Sequence, residues 1–114
     1  MNSNLNGFNV KEITLYADGN IQPGMAVSVK ENHTAAIPSA NERFAGICTA
    51  VRGDYVSVAL TGILTVPYSG TDISVGYNPV TADGNGYIKF NVSSSEEFLV
   101  FDIDETEHLM TILL

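Results

Sequence analysis

The sequence predicts an all-β domain: a small closed or partly open β-barrel of about nine short strands, preceded by a flexible N-terminal arm. Three observations predict it. Apolar residues recur with a period of two, as in Met25, Val27 and Val29 against Ala26, Ser28 and Lys30. Turn signals return roughly every 8–12 residues, the spacing of a sandwich or barrel. No window carries an apolar stripe at helical spacing. Closing such a sheet would remove the edges that invite aggregation. A chain of 114 residues fits one domain, which we place at residues 12–114, with residues 1–11 as the arm.

Taken in order, the opening stretch is rich in Asn and short of charge, the composition of an arm that orders when something binds it. Leu5, Phe8 and Val10 are its apolar points and the expected docking residues. Ile13, Leu15 and Ala17 alternate with Thr14 and Tyr16 as a strand, ended by the turn Asp18-Gly19-Asn20. Pro23-Gly24 turns the chain into the strand Met25–Lys30, and Thr34–Ile37 is a short strand. Residues 38–42 read as a loop, or at most one helical turn. Phe44–Val51 is an apolar strand, joined through the tight turn Arg52-Gly53-Asp54 to Tyr55–Thr61. In that last strand Val56, Val58 and Leu60 are expected to share one face, and Ser57, Ala59 and Thr61 the other.

Gly62 is expected to mark a bulge or bend, Ile63–Val66 continues the strand, and Pro67, lacking an N–H, is expected to end it. Residues 68–76 read as loop with a short strand near Ile73–Val75. Asn78–Thr81 and Tyr87–Phe90 form a hairpin around Asp83-Gly84-Asn85-Gly86. Phe98–Ile103 and His108–Leu113 close the domain through the acidic turn Asp104–Glu107.

The formal charge is −8, and it is unevenly spread. Lys11, Lys30, Arg43 and Arg52 balance Glu12, Asp18, Glu31 and Glu42, whereas Lys89 is the one Lys or Arg after residue 52, against nine acids. Nucleic-acid binders cluster Lys and Arg, and anionic membranes attract them, so neither partner is expected. Charged residues make up only 16% of the chain, so much of the surface must be Ser, Thr, Asn and Gly, or apolar and covered by a partner. Cys48 is alone, in an apolar run, and reads as a small buried hydrophobe. No charged-then-apolar leader opens the sequence, and no apolar run reaches membrane-spanning length; synthesis in a reducing cytoplasm is the expectation.

Catalytic and metal chemistry find little footing. His33 and His108 lie far apart without metal-type spacing, and a zinc site needs three or four ligands. No Gly-x-Ser-x-Gly elbow and no activated-cysteine context is present. Asp102, Asp104, Glu105 and Glu107 offer carboxylates to a cation such as Ca²⁺, but as a solvated hairpin turn they need none, and both readings stay open. Arg52-Gly53-Asp54 and Asp83-Gly84-Asn85-Gly86 are accounted for by turn chemistry. Tyr16, Tyr55, Tyr68, Tyr77 and Tyr87 could stack on sugars or simply pack in strands. No catalytic residue, metal ligand or cofactor is expected.

Three segments carry a family resemblance. They are Ile21-Gln22-Pro23-Gly24-Met25-Ala26-Val27-Ser28-Val29; Phe44-Ala45-Gly46-Ile47-Cys48 leading through Gly53 to Val66-Pro67; and Gly76-Tyr77-Asn78-Pro79-Val80 with Asp83-Gly84-Asn85-Gly86. Over residues 20–90 the chain resembles the small bacteriophage head-decoration, or capsid-cement, family. Its members share a Phe-x-Gly-Ile/Val segment followed by Val-x-Val-x-Leu-x-Gly-Ile in a compact β-barrel. The Asn-rich arm and the acidic C-terminal part lie outside the shared pattern.

The resemblance implies a non-enzymatic role on the outside of a phage head. The protein would be made in the bacterial cytoplasm, associate with itself as a homotrimer, and bind the major capsid protein. An arm adding a strand to an exposed sheet edge, repeated three times per trimer, would suit that role. Two other readings fit the same sequence: a carbohydrate-binding or adhesin-like β module, and a phage tail or fibre junction protein.

Overall fold

Alternation of buried and exposed side chains is obeyed along most of the chain, and it builds strands throughout. The computed structural model describes residues 8–114, which form nine strands and no helix: β1 (Phe8–Asp18), β2 (Ala26–Glu31), β3 (Thr34–Ala36), β4 (Gly46–Arg52), β5 (Tyr55–Ser69), β6 (Gly76–Ala82), β7 (Ile88–Phe90), β8 (Glu97–Asp104) and β9 (Leu109–Leu113). They make one sheet in the order β1-β3-β2-β4-β5-β7-β6-β8-β9, with further pairings of β1 and of β9 to β5. The fold is therefore all-β with nine strands, and its hydrogen-bonded pairing closes twice on β5. One circuit runs β1-β3-β2-β4-β5, the other β5-β7-β6-β8-β9.

Each circuit has its own core. The first holds Leu15, Ile21, Val27, Ala35, Cys48, Val56 and Val58. The second, larger core holds Phe44, Leu64, Val66, Tyr68, Ile73, Val80, Ile88, Val100, Met110 and Ile112, and it also takes Ala26, Ile47 and Ala59. Successive residues point to opposite sides of a strand, so Ala26/Val27, Ile47/Cys48 and Val58/Ala59 each supply one side chain to each core. Here β2, β4 and β5 form a wall buried on both faces. Small residues make the wall thin enough to serve both sides. A Cβ on Gly46 would collide with the Ala59 carbonyl oxygen and stand 2.8 Å from Val58 Cγ1.

Several sequence expectations change at β5. Leu60 was expected on the buried face with Val56 and Val58, but it is exposed, and Ala59 is the buried residue. Leu60 is the extra residue of a bulge, since Ala59 and Thr61 pair with the adjacent Glu12 and Lys11 of β1, and beyond it the inward residues Leu64, Val66 and Tyr68 belong to the second core. Gly62, two residues beyond that bulge, takes the positive φ of 117° that only glycine adopts readily. Pro67 does not end the ladder; it sits opposite Leu109 in β9. The Tyr68 N–H donates to the His108 carbonyl on the β9 side, so the Pro67 nitrogen faces the other edge. Along that edge β1 pairs only as far as Ile63 and β7 begins at Tyr68, and no hydrogen bond is forfeited.

Elsewhere β1 begins at Phe8, four residues inside the segment assigned to the arm, and pairs with β5 from Ile63 to Tyr55 across two register shifts. Ile73–Val75 is not a strand; Ile73 is a buried anchor in a loop.

Gly46→Ala is expected to lower stability by about 2–3 kcal/mol, since an overpacked site backed by main chain has nowhere to relax. Gly53→Ala, at φ 61° in an open turn with nothing within 4 Å of the new methyl, should cost only about 1 kcal/mol, the left-handed backbone penalty. Urea unfolding midpoints measure both; equal losses would remove the wall's special status.

Candidate functional site

The outer side of the second circuit carries a row of apolar side chains. Tyr77 on β6 pairs with Leu99 on β8, Leu99 with Leu113 on β9, and Leu113 with Ile63 on β5. Directly paired residues share a face, and the inward partners alternate with them: Asn78, Val100, Ile112 and Leu64 are all buried. The row is open to solvent at Tyr77 (71% exposed) and Leu113 (40%), with Leu99 and Ile63 half-buried. Val75 and Phe101 add exposed apolar surface beside it, Phe101 as the extra residue of a bulge between Val100 and Asp102. The next outward row is polar: the Thr65 and Thr111 hydroxyls lie 3.0 Å apart, and Asp102 is paired with Thr111.

A buried amide holds the exposed end of this row. Asn78 accepts from the Ser74 N–H at 3.1 Å and donates to the carbonyls of Ser74 at 2.6 Å and Gly76 at 3.0 Å. These bonds close the loop bearing Val75 and Tyr77, so two exposed apolar residues are displayed on a fixed backbone.

The residues singled out from sequence fall differently. Leu5 lies outside the described residues. Phe8 opens β1 and is paired with Ile63 of β5. Val10 is half-buried against the second core, because the strand starts earlier than its composition suggested. The acidic turn organises itself. Asp104 Oδ1 accepts from the backbone N–H groups of Thr106 at 3.0 Å and Glu107 at 3.1 Å. Asp83 Oδ1 does the same for Asn85 and Tyr87. His33 and His108 occupy separate turns, both with positive φ. Among the described residues no three His, Cys, Asp or Glu gather as a metal site.

Cys48 is buried, and burial pushes its thiol above the ordinary range. It borders a groove of about 470 Å³ whose walls include Val10, Ile47, Leu64 and Val66, with a Thr49 to Glu12 hydrogen bond of 3.1 Å nearby. On the outer side of the first circuit the rings of Tyr16 and Tyr55 stack at 4.7 Å. The Tyr55 hydroxyl donates to that of Tyr16 at 3.2 Å, which raises the Tyr55 phenol above its usual range. Two bases are committed to ion pairs, Lys30 with Glu42 at 3.1 Å and Arg43 with Glu96 at 3.4 Å.

The apolar row was absent from the sequence reading, although a signal for it exists. Phe98-Leu99-Val100-Phe101 and Ile112-Leu113-Leu114 are apolar at both strand parities, the mark of a strand apolar on two faces. Compared with known proteins, the chain matches no protein-family model and no curated protein.

Asn78→Ala is expected to cost about 2 kcal/mol, because it leaves buried main-chain groups of the loop without a partner. Amide exchange at residues 74–77 should accelerate relative to β9. A variant as stable as the parent, with unchanged exchange, would remove Asn78 from this role.

Proposed function

We propose that the protein is a structural, non-enzymatic capsid-decoration (cement) protein of a bacteriophage, which binds the outer surface of the head shell and stabilises it. The observation that carries this reading is the outward row Tyr77–Leu99–Leu113–Ile63, apolar surface fixed on a rigid sheet. Contiguous exposed apolar side chains on a soluble domain mark places where another protein docks, and an aromatic set among aliphatics is the composition of an interface centre. The resemblance over residues 20–90 supplies the identity of the partner, the major capsid protein.

In this reading three copies associate, so that three modest contacts act together and release from the shell is slow. The acidic turn Asp104–Glu107 stays off the contact. Asp104 is five residues along β8 from Leu99, roughly 17 Å at the rise of a strand. The segment before β1 acts at the same surface, since Phe8 enters the sheet beside Ile63.

Occupancy on purified heads of the encoding phage tests the proposal. Leu113→Asp, checked for folding, should lower occupancy at least about tenfold, the effect of losing one interface hot spot. Charge reversal at Asp104, Glu105 and Glu107 together should leave it within about twofold, as expected for charges outside the contact. Deleting residues 1–7 should weaken binding with the fold intact, whereas deletion through Val10 removes strand residues and should also lower stability. If the parent protein does not bind heads, the decoration reading fails. If Leu113→Asp binds normally, the row is not the contact.

A further inference from the structure

The outer side of the first circuit has a different chemistry from the apolar row. Tyr16 pairs with Tyr55, and Tyr55 with Arg52, so the three lie in one row across β1, β5 and β4. Thr14 and Ser57 pair in the adjacent row. Between the rows runs a groove of about 350 Å³ lined by Thr14, Arg52, Tyr55, Val56 and Ser57. The tyrosines are 49% and 45% exposed, so their stacked rings still present apolar surface with hydroxyl edges. Arg52 is exposed and forms no ion pair among the described residues.

We infer that this groove is a binding site for a neutral, pyranose-containing oligosaccharide. A pyranose ring has an apolar C–H face rimmed by hydroxyls. The Tyr55 ring, backed by the stacked Tyr16 ring outside the groove lining, suits the first, and the Thr14 and Ser57 hydroxyls and the Arg52 guanidinium suit the second. Its volume sits at the small end of ligand sites, enough for one or two sugar rings. Charge argues for a neutral ligand. Arg52 and Asp54 flank Tyr55 on the same hairpin, and a ligand of either sign would meet a like charge there. Outward side chains in the two rows are Tyr, Arg, Thr and Ser with Ala50, without the aliphatic residues that fill the row on the second circuit. The site is independent of the docking surface and does not require the capsid reading.

Amide shifts of the labelled full-length protein test it, on titration with cellopentaose, maltoheptaose, chitotetraose and tetragalacturonate. At least one of the three neutral oligosaccharides should shift amides at residues 14–16 and 52–57, with a dissociation constant of about 1 mM or tighter. Tyr55→Ala should weaken that binding about tenfold or more, as loss of a stacking face does. Arg52→Gln, an exposed hairpin substitution that leaves the ring pair in place, should weaken it several-fold, and it decides the matter if Tyr55→Ala does not fold. Val92→Ser, on an exposed loop of the other circuit, should bind like the parent. The inference is overturned if none of the neutral sugars shifts these amides at about 10 mM, well above a millimolar constant. It is equally overturned if the shifts fall elsewhere, if only tetragalacturonate binds, or if folded Arg52→Gln binds like the parent.

Discussion

Two-sided burial of one wall is the constraint on which the rest of the molecule depends. Strands β2, β4 and β5 each give alternate residues to two cores, so the same three strands hold both halves together. Val27, Val58, Ile47 and Cys48 are each no more than 2% exposed, and burying an aliphatic side chain of this size is worth about 1.5–3 kcal/mol. Ala26, Ala59 and Gly46 matter for the opposite reason, because they leave room for the second core to approach. A half of the protein cut away from the wall would expose one of its faces, an apolar surface no small domain sustains. The two circuits are thus one unit by construction rather than by docking.

Function is left to the outward faces. Because the wall and both cores consume the inward side chains, each circuit shows the solvent only its outer side, and the two sides differ. One carries Tyr77, Leu99, Leu113 and Ile63, the composition of a protein contact; the other carries stacked tyrosines, hydroxyls and a guanidinium. The main acidic cluster is gathered at the β8–β9 turn, where Asp104 caps the backbone. An excess of negative charge in the second half of the chain therefore coexists with an apolar face on the same strands.

What could be read from the sequence follows from what determines it. Strand identity is local: period-two patterning and turn chemistry placed nine strands, and the bends at Gly19, Gly53 and Gly84 fall at left-handed backbone positions. Phase is not local. Leu60 and Ala59 exchanged roles because β5 bulges against β1 at Leu60, which no window of β5 alone reveals. Pro67 stays in its strand because one edge happens to be unpaired there, a property of β1 and β7. The start of β1 was hidden because Phe8 and Lys11 pair with a strand some fifty residues away, and Asn-rich composition outweighed them. The apolar row was partly visible, as runs apolar at both parities, but its continuity across four strands exists only once the register is known.

Native-state hydrogen exchange in low denaturant measures the shared wall most directly. If one wall serves both cores, the most protected amides of β2 and β4 and those of β8 and β9 open together, with one free energy equal to that of global unfolding and one dependence on denaturant. Two separate isotherms, with the β6–β9 amides exchanging while β2 and β4 stay protected, would mean that the circuits are independent units and that the wall does not join them.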